Sequence, residues 1–200
     1  KEGGGELRLL LPLLAQLSVE DKWIIWVDPP HTPYAPALAA AGIDIDRILL
    51  VHSKSRQDRL WSLEQALKSG SCSAVLGWLP PRQEKVSRRL QVAAAEGGAL
   101  GFIFRPRQCE EESSSAPYRL CLTPRTEGVE TTLIKRKNGW AMPRLQLPLG
   151  LAQLHLHNQQ EHTPLGRNSR RSTQHIIQLS PQGKDLIGIA KDKYTRFREF

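Results

Sequence analysis

The run Lys1-Glu2-Gly3-Gly4-Gly5-Glu6-Leu7 has the layout of a phosphate-binding loop. Its glycines feed a helix N-terminus, whose free amides and dipole attract anions. A working nucleotide loop continues Gly-Lys-Ser/Thr, with lysine on the β- and γ-phosphates and the hydroxyl on magnesium. Here Gly5 is followed by Glu6 and Leu7. A carboxylate in the lysine's place repels phosphate, and leucine holds no metal. The other half of such a site is an acidic residue ending a neighbouring strand, yet the third apolar run reads Leu76-Gly77-Trp78-Leu79. Both halves are absent together. The expectation is no enzyme and no cofactor, with Gly3, Gly4 and Gly5 making a tight turn.

Other constellations are weaker. His155 and His157 would share one face of a strand, with His162 nearby, and histidines so spaced can bind a metal. In a polar stretch they read as surface residues. Cys72, Cys109 and Cys121 are an odd number without a C-x-x-C pair, which argues against zinc or a disulfide scaffold and fits a reducing cytoplasm. Cys72 has no activating base beside it and reads as a packed, neutral thiol. Serine-hydrolase, zinc-protease and dinucleotide fingerprints are missing.

Residues that bind rather than react are more prominent. Trp23 and Trp26 stand three apart and would point to opposite faces of a strand. Each could pack under a helix, or one could anchor a contact. Lys22 before that strand and Arg47 before the next would share one sheet end, a positive rim that suits either protein docking or a solvated edge. The turn Lys135-Arg136-Lys137-Asn138-Gly139 reads as a solvated loop tip, with phosphate contact as the alternative.

These residues need a scaffold, and the hydrophobic pattern supplies one. Leu7, Leu10, Leu11, Leu14 and Leu17 repeat at helical spacing, with Pro12 predicting a kink or a helix start. Four short apolar runs follow, at residues 23–27, 47–51, 74–79 and 100–104. Between them lie helical patterns at 35–41, around Leu60, Leu63 and Leu67, and at 82–96, ended by Gly42, Gly70 and Gly97-Gly98. Strands separated by helices imply right-handed crossovers, so the class is α/β with a mostly parallel sheet. Tyr118, Leu120 and Leu122 and then residues 129–135 predict antiparallel strands extending that sheet. From Gly150 periodicity fades, with apolar pairs at Ile176-Ile177 and Leu186-Ile187. Residues 150–200 are expected to be a flexible, basic, polar tail.

The 200 residues carry a net charge of +8. Residues 1–150 hold 20 Lys/Arg against 16 Asp/Glu and residues 151–200 hold 8 against 4, so the excess is denser in the tail. Neither part is basic enough to establish nucleic-acid binding. The longest apolar stretch, residues 9–15, is too short to cross a bilayer and lacks signal-peptide flanks, so a cytoplasmic protein is expected. The chain begins at Lys1 rather than Met, which leaves an upstream segment open.

The run Glu6-Leu7-Arg8-Leu9-Leu10-Leu11-Pro12-Leu13-Leu14 and residues 23–30 resemble the SulA/ImuA family of bacterial SOS-response proteins. So do Ala41-Gly42, residues 48–51, Glu64-Gln65-Ala66-Leu67, residues 74–79 and residues 95–102, in order across about residues 3–148. The resemblance implies a RecA-like domain over residues 1–149 with its nucleotide site eroded. The ImuA branch is expected on residues 31–42, on residues 132–139, and on Ala37 where division inhibitors carry a bulky aromatic. That reading implies an adaptor for translesion synthesis, docking on SOS polymerase components or RecA, with weak DNA contact through Lys135, Arg136 and Lys137. The alternative is a SulA-type inhibitor of division, which would bind FtsZ around Lys22, Trp23, Val27 and Arg47.

Overall fold

A computed structural model describes residues 6–81, 84–126, 128–137, 139, 142–147 and 175–178, with residues 84, 142, 143 and 175–178 given by backbone alone. The chain opens with helix α1 (Glu6–Ser18), which runs unbroken through Pro12 instead of starting there. Proline removes one helical hydrogen bond, but Leu7, Leu10, Leu11 and the fully buried Leu14 press the helix onto the sheet on both sides of it. Then follow β1 (Trp23–Val27), α2 (Ala35–Ala40), β2 (Ile48–His52), α3 (Arg56–Lys68), β3 (Cys72–Trp78), α4 (Glu84–Gly97) and β4 (Leu100–Phe104). The α/β class expected from the sequence is the one found.

The strands alternate cleanly between two cores, as strands covered on both faces must. Ile24 and Trp26 of β1, with Leu50 and Leu76, meet α1 and α2. Ile25 and Val27, with Leu49, Val51 and Val75, meet Leu63 and Leu67 of α3 and Leu90 of α4. Gly77 permits the second contact, since a Cβ there would stand 2.5 Å from Leu63 Cδ2. Gly42 and Gly70 end α2 and α3 at φ +83° and +73°, the left-handed turn that favours glycine.

Neighbouring strands run β4-β3-β1-β2-β8, all parallel, where β8 is His175–Gln178. The chain leaves β1 toward β2, then crosses back to β3 and on to β4. This reversal puts α2 on one face and α3 and α4 on the other, and makes β1/β3 the switch point of the sheet. Of the stretch expected to be a tail, β8 alone lies within the described residues, paired with β2.

One expectation needs correction. The runs after residue 117 do not extend the parallel sheet: β5 (Tyr118–Arg125), β6 (Gly128–Arg136) and β7 (Met142–Leu147) form a separate antiparallel sheet in the order β5-β6-β7. Alternation identifies a half-buried strand but not the sheet it joins. The loop leading to β5 is tied on both sides. Ser114 Oγ lies 2.8 Å from Ser87 Oγ of α4, and the Ser114 carbonyl accepts from Lys135 Nζ at 2.8 Å. Arg119 donates to the carbonyls of Cys109 and Glu110.

Candidate functional site

The parallel register sets β1 and β2 side by side, Ile24 opposite Ile48, so the residues just before each strand share one end of the sheet. Lys22, Trp23 and Arg47 are therefore brought together there. Arg47 Nη1 contacts Asp21 Oδ1 at 2.7 Å, which ties the α1–β1 loop to the approach of β2. Trp23 donates its backbone N–H to the Ser71 carbonyl at 2.9 Å and lays its half-buried ring against the α3/α4 core. Trp23 and Trp26 do face opposite sides, and both are used in packing. Behind the loop, buried Ser18 donates to the Ala15 carbonyl and accepts from the Asp44 amide, so its hydroxyl is satisfied.

Val27 does not join this group. It closes the far end of β1 and is 0% exposed, so it belongs to the core and offers no surface to a partner. A residue that the sequence reading missed stands in its place: Val19, 82% exposed, in the α1–β1 loop. An apolar side chain directly after a helix, outside any periodic stripe, was the available signal. The end of the sheet thus presents Val19 and part of Trp23 among Glu20, Asp21, Lys22 and Arg47, a mixed surface suited to protein docking.

The opposite end differs. Asp28, directly after β1, sits at φ +47°, and its carboxylate accepts from the Ser53 amide at 2.7 Å and from Arg59 Nε at 2.6 Å. On the α1 face, Trp78 stacks on Phe104 with ring centroids 4.9 Å apart and lies 6.1 Å from Trp26. Aromatic rings therefore occupy the position where a magnesium-binding acid was sought. Gly3, Gly4 and Gly5, and likewise His155, His157 and His162, lie outside the described residues.

The thiols hold no activated nucleophile. Burial pushes Cys72, Cys109 and Cys121 all upward from the ordinary thiol value. Among the described residues, no group of three or more His, Cys, Asp or Glu could hold a metal, and no helix is long and apolar enough to cross a membrane. The groove between α3 and α4 is open and crossed by the Glu64–Arg89 and Lys68–Glu96 pairs, unlike an enclosed small-molecule site.

Lys135, Arg136 and Lys137 are exposed at the β6–β7 turn, on the second sheet rather than beside Lys22 and Arg47. They form no common site with that end.

Comparison with known proteins bears on the branch. Residues 5–101 match the family model "Cell division inhibitor SulA". The Photorhabdus laumondii cell division inhibitor SulA is 42% identical over 112 residues, covering 56% of this chain and 63% of the relative. The Edwardsiella piscicida protein of the same name is 33% identical over 109 residues, covering 54% and 65%. A crystal structure of SulA from Pseudomonas aeruginosa shares 31% identity over 52% of this chain and 91% of that one, with a TM-score of 0.45. The chain spans less than two thirds of the curated relatives' length.

The family model and the two curated relatives overturn the expected ImuA-type adaptor. Its argument leaned on residues 31–42 with Ala37, which lie inside the SulA match. It leaned also on residues 132–139, which lie beyond the match and of which 132–136 end β6, a pattern that any antiparallel hairpin can carry. SOS polymerase components, RecA and DNA contact at Lys135, Arg136 and Lys137 gain no support from these matches. Over residues 5–101, the chain is similar to the SulA family.

Proposed function

We propose that this chain inhibits cell division without catalysis, as a SulA-type protein of the SOS response that binds FtsZ and keeps its subunits out of polymer. The observation that carries the reading is the family match over residues 5–101, a span that includes Val19, Lys22, Trp23 and Arg47. The surface fits the role: a docking face needs an apolar patch rimmed by charges, not an enclosed pocket. Lys22 and Arg47 supply the positive rim, and Val19 with Trp23 supplies the apolar part.

An inhibitor that sequesters subunits acts in proportion to its own concentration. Purified chain added to polymerising FtsZ should lower sedimentable polymer steadily up to an equimolar ratio. Reversing the charge at Lys22→Glu together with Arg47→Glu should cost at least about tenfold in potency, since like charges across an interface cost several kcal/mol. The fold should survive the double change, because the Arg47–Asp21 pair is exposed and such pairs add little stability. No effect of the native chain at equimolar ratio would end the proposal. Full potency of the double variant would move the interface elsewhere.

A further inference from the structure

Helix α4 turns Val86, Leu90, Ala93 and Ala94 into the core that it shares with α3. At about 3.6 residues per turn, Lys85, Arg88, Arg89, Val92 and Glu96 then fall on one outward band. Lys85, Arg88 and Arg89 are exposed, and so is Val92, at 56%, a large apolar side chain set among charges.

This band is one wall of the groove between the two helices, and Glu64 and Lys68 of α3 form the other. Both carboxylates are already matched: Arg89 donates to Glu64, and Lys68 Nζ lies 3.0 Å from Glu96 Oε1. Lys85 and Arg88 have no acidic partner among the described residues. They stand one turn apart near the start of α4, with Cβ atoms about 5–6 Å from each other. Val92 lies two turns beyond Lys85, about 10 Å along the axis.

We propose that this groove docks an acidic segment of a protein partner, with two carboxylates on Lys85 and Arg88 and one apolar side chain on Val92 and Ala93. Charge complementarity selects the occupant. A nucleic-acid backbone gains affinity from cations along its whole track, and here Glu64 and Glu96 would face its phosphates. A small anion would satisfy the cations but leave Val92 in water. A segment with two acids one helical turn apart, and an apolar residue two turns from the first, meets all three positions. Neither Lys22 nor Arg47 lines this groove, so the inference does not rest on the FtsZ reading.

The test is fluorescence anisotropy of a labelled, alanine-based helical peptide carrying Glu, Glu and Leu at that spacing, titrated with the whole chain. Binding should weaken as salt rises, because exposed charges are screened. Gln in place of both Glu in the peptide, or Lys85→Glu with Arg88→Glu in the chain, should each weaken it at least about tenfold. Val92→Ser should weaken it roughly threefold, as should moving the peptide's Leu to its opposite face. Lys22→Glu with Arg47→Glu should leave it unchanged, which separates this groove from the face proposed for FtsZ. Lys85, Arg88 and Val92 are exposed, so their variants should keep the native urea-unfolding curve. The peptide substitutions decide the matter even if a variant fails to fold. No binding at low salt would overturn the proposal, as would equal binding of the Gln peptide or indifference to Lys85→Glu with Arg88→Glu. Displacement of the peptide by oligothymidylate more readily than by the unlabelled peptide would also overturn it, in favour of nucleic acid.

Discussion

Two adjacent glycines at the end of α4 are kept for different physical reasons, and the difference is measurable. A Cβ on Gly97 would lie 2.0 Å from the Leu67 carbonyl oxygen and 2.8 Å from the Lys68 carbonyl carbon, both backbone atoms of α3. Neither can rotate away. Gly97→Ala must therefore push α4 off α3 by on the order of 1 Å, loosening a contact lined by buried Leu67, Leu90 and Ala93. Overpacking of that kind costs about 1–3 kcal/mol, and rigid backbone puts this case at the upper end. Alanine's better helix propensity returns at most about 1 kcal/mol. The net loss is about 2 kcal/mol, or roughly 4–8 °C in Tm for a chain of this size. Gly98 has nothing within 4 Å of its missing Cβ, but its φ is +66°. Gly98→Ala should cost about 1 kcal/mol through backbone strain alone. Urea unfolding followed by tryptophan fluorescence measures both, since Trp26 is 1% exposed in the fold and must move into water. Gly97→Ala within about 0.5 kcal/mol of the native chain, or less damaging than Gly98→Ala, would refute the close-approach argument.

Three further changes test other parts of the fold. Ser62 on α3 is buried and its hydroxyl has no hydrogen-bond partner among the described residues, so Ser62→Ala should stabilise the fold by about 0.5–1.5 kcal/mol in the same urea assay. Asp28→Ala removes the acceptor for Ser53 and Arg59 and should cost about 2 kcal/mol, while Asp28→Asn, which keeps an acceptor for the Ser53 amide, should cost less. Burial raises the Cys72 thiol above its ordinary value of 9.0, so the folded chain holds that proton more tightly than the unfolded one. The corresponding stability is fully present below pH 9.0 and is lost as pH rises from there through the folded value, at up to about 1.4 kcal/mol per pH unit. Cys72→Ala should flatten this part of the stability–pH curve.

The sequence was most legible where strands are buried on both faces. Residues 23–27 and 100–104 are uninterrupted apolar runs, and the structure returns them as β1 and β4 with the same ends. Helix ends were legible where glycine closes them, at Gly42 and Gly70. The second sheet was harder. β7 contains Pro143 and Arg144 and pairs with β6 across a register shift between Thr131 and Leu133, so no clean alternation announces it. That Lys22, Trp23 and Arg47 share one end follows from parallel pairing alone. Val27 was grouped with them because sequence proximity stood in for position. A strand of five residues spans roughly 13–17 Å, and its last residue faces the other end of the sheet. Val19 went unread because a single apolar residue in a loop carries no periodicity.

The two ends of the parallel sheet differ in what their side chains leave open. Open α/β sheets take ligands in the crevice beyond the carboxyl ends of their strands, where the strand order reverses. Here that switch point lies between β1 and β3, and the chain's own side chains occupy its surroundings. Asp28 spends its carboxylate on Ser53 and Arg59, and Trp26 and Trp78 bridge β1 and β3 with Phe104 stacked beyond. Among the described residues, aromatic rings line this crevice and Arg59 is already matched by Asp28. On the proposed function, docking falls instead to the surfaces at the amino ends of β1 and β2. Those surfaces suit flat partners of protein size. On the proposed reading, the aromatic rings at one end of the sheet and the docking face at the other are complementary features of one scaffold.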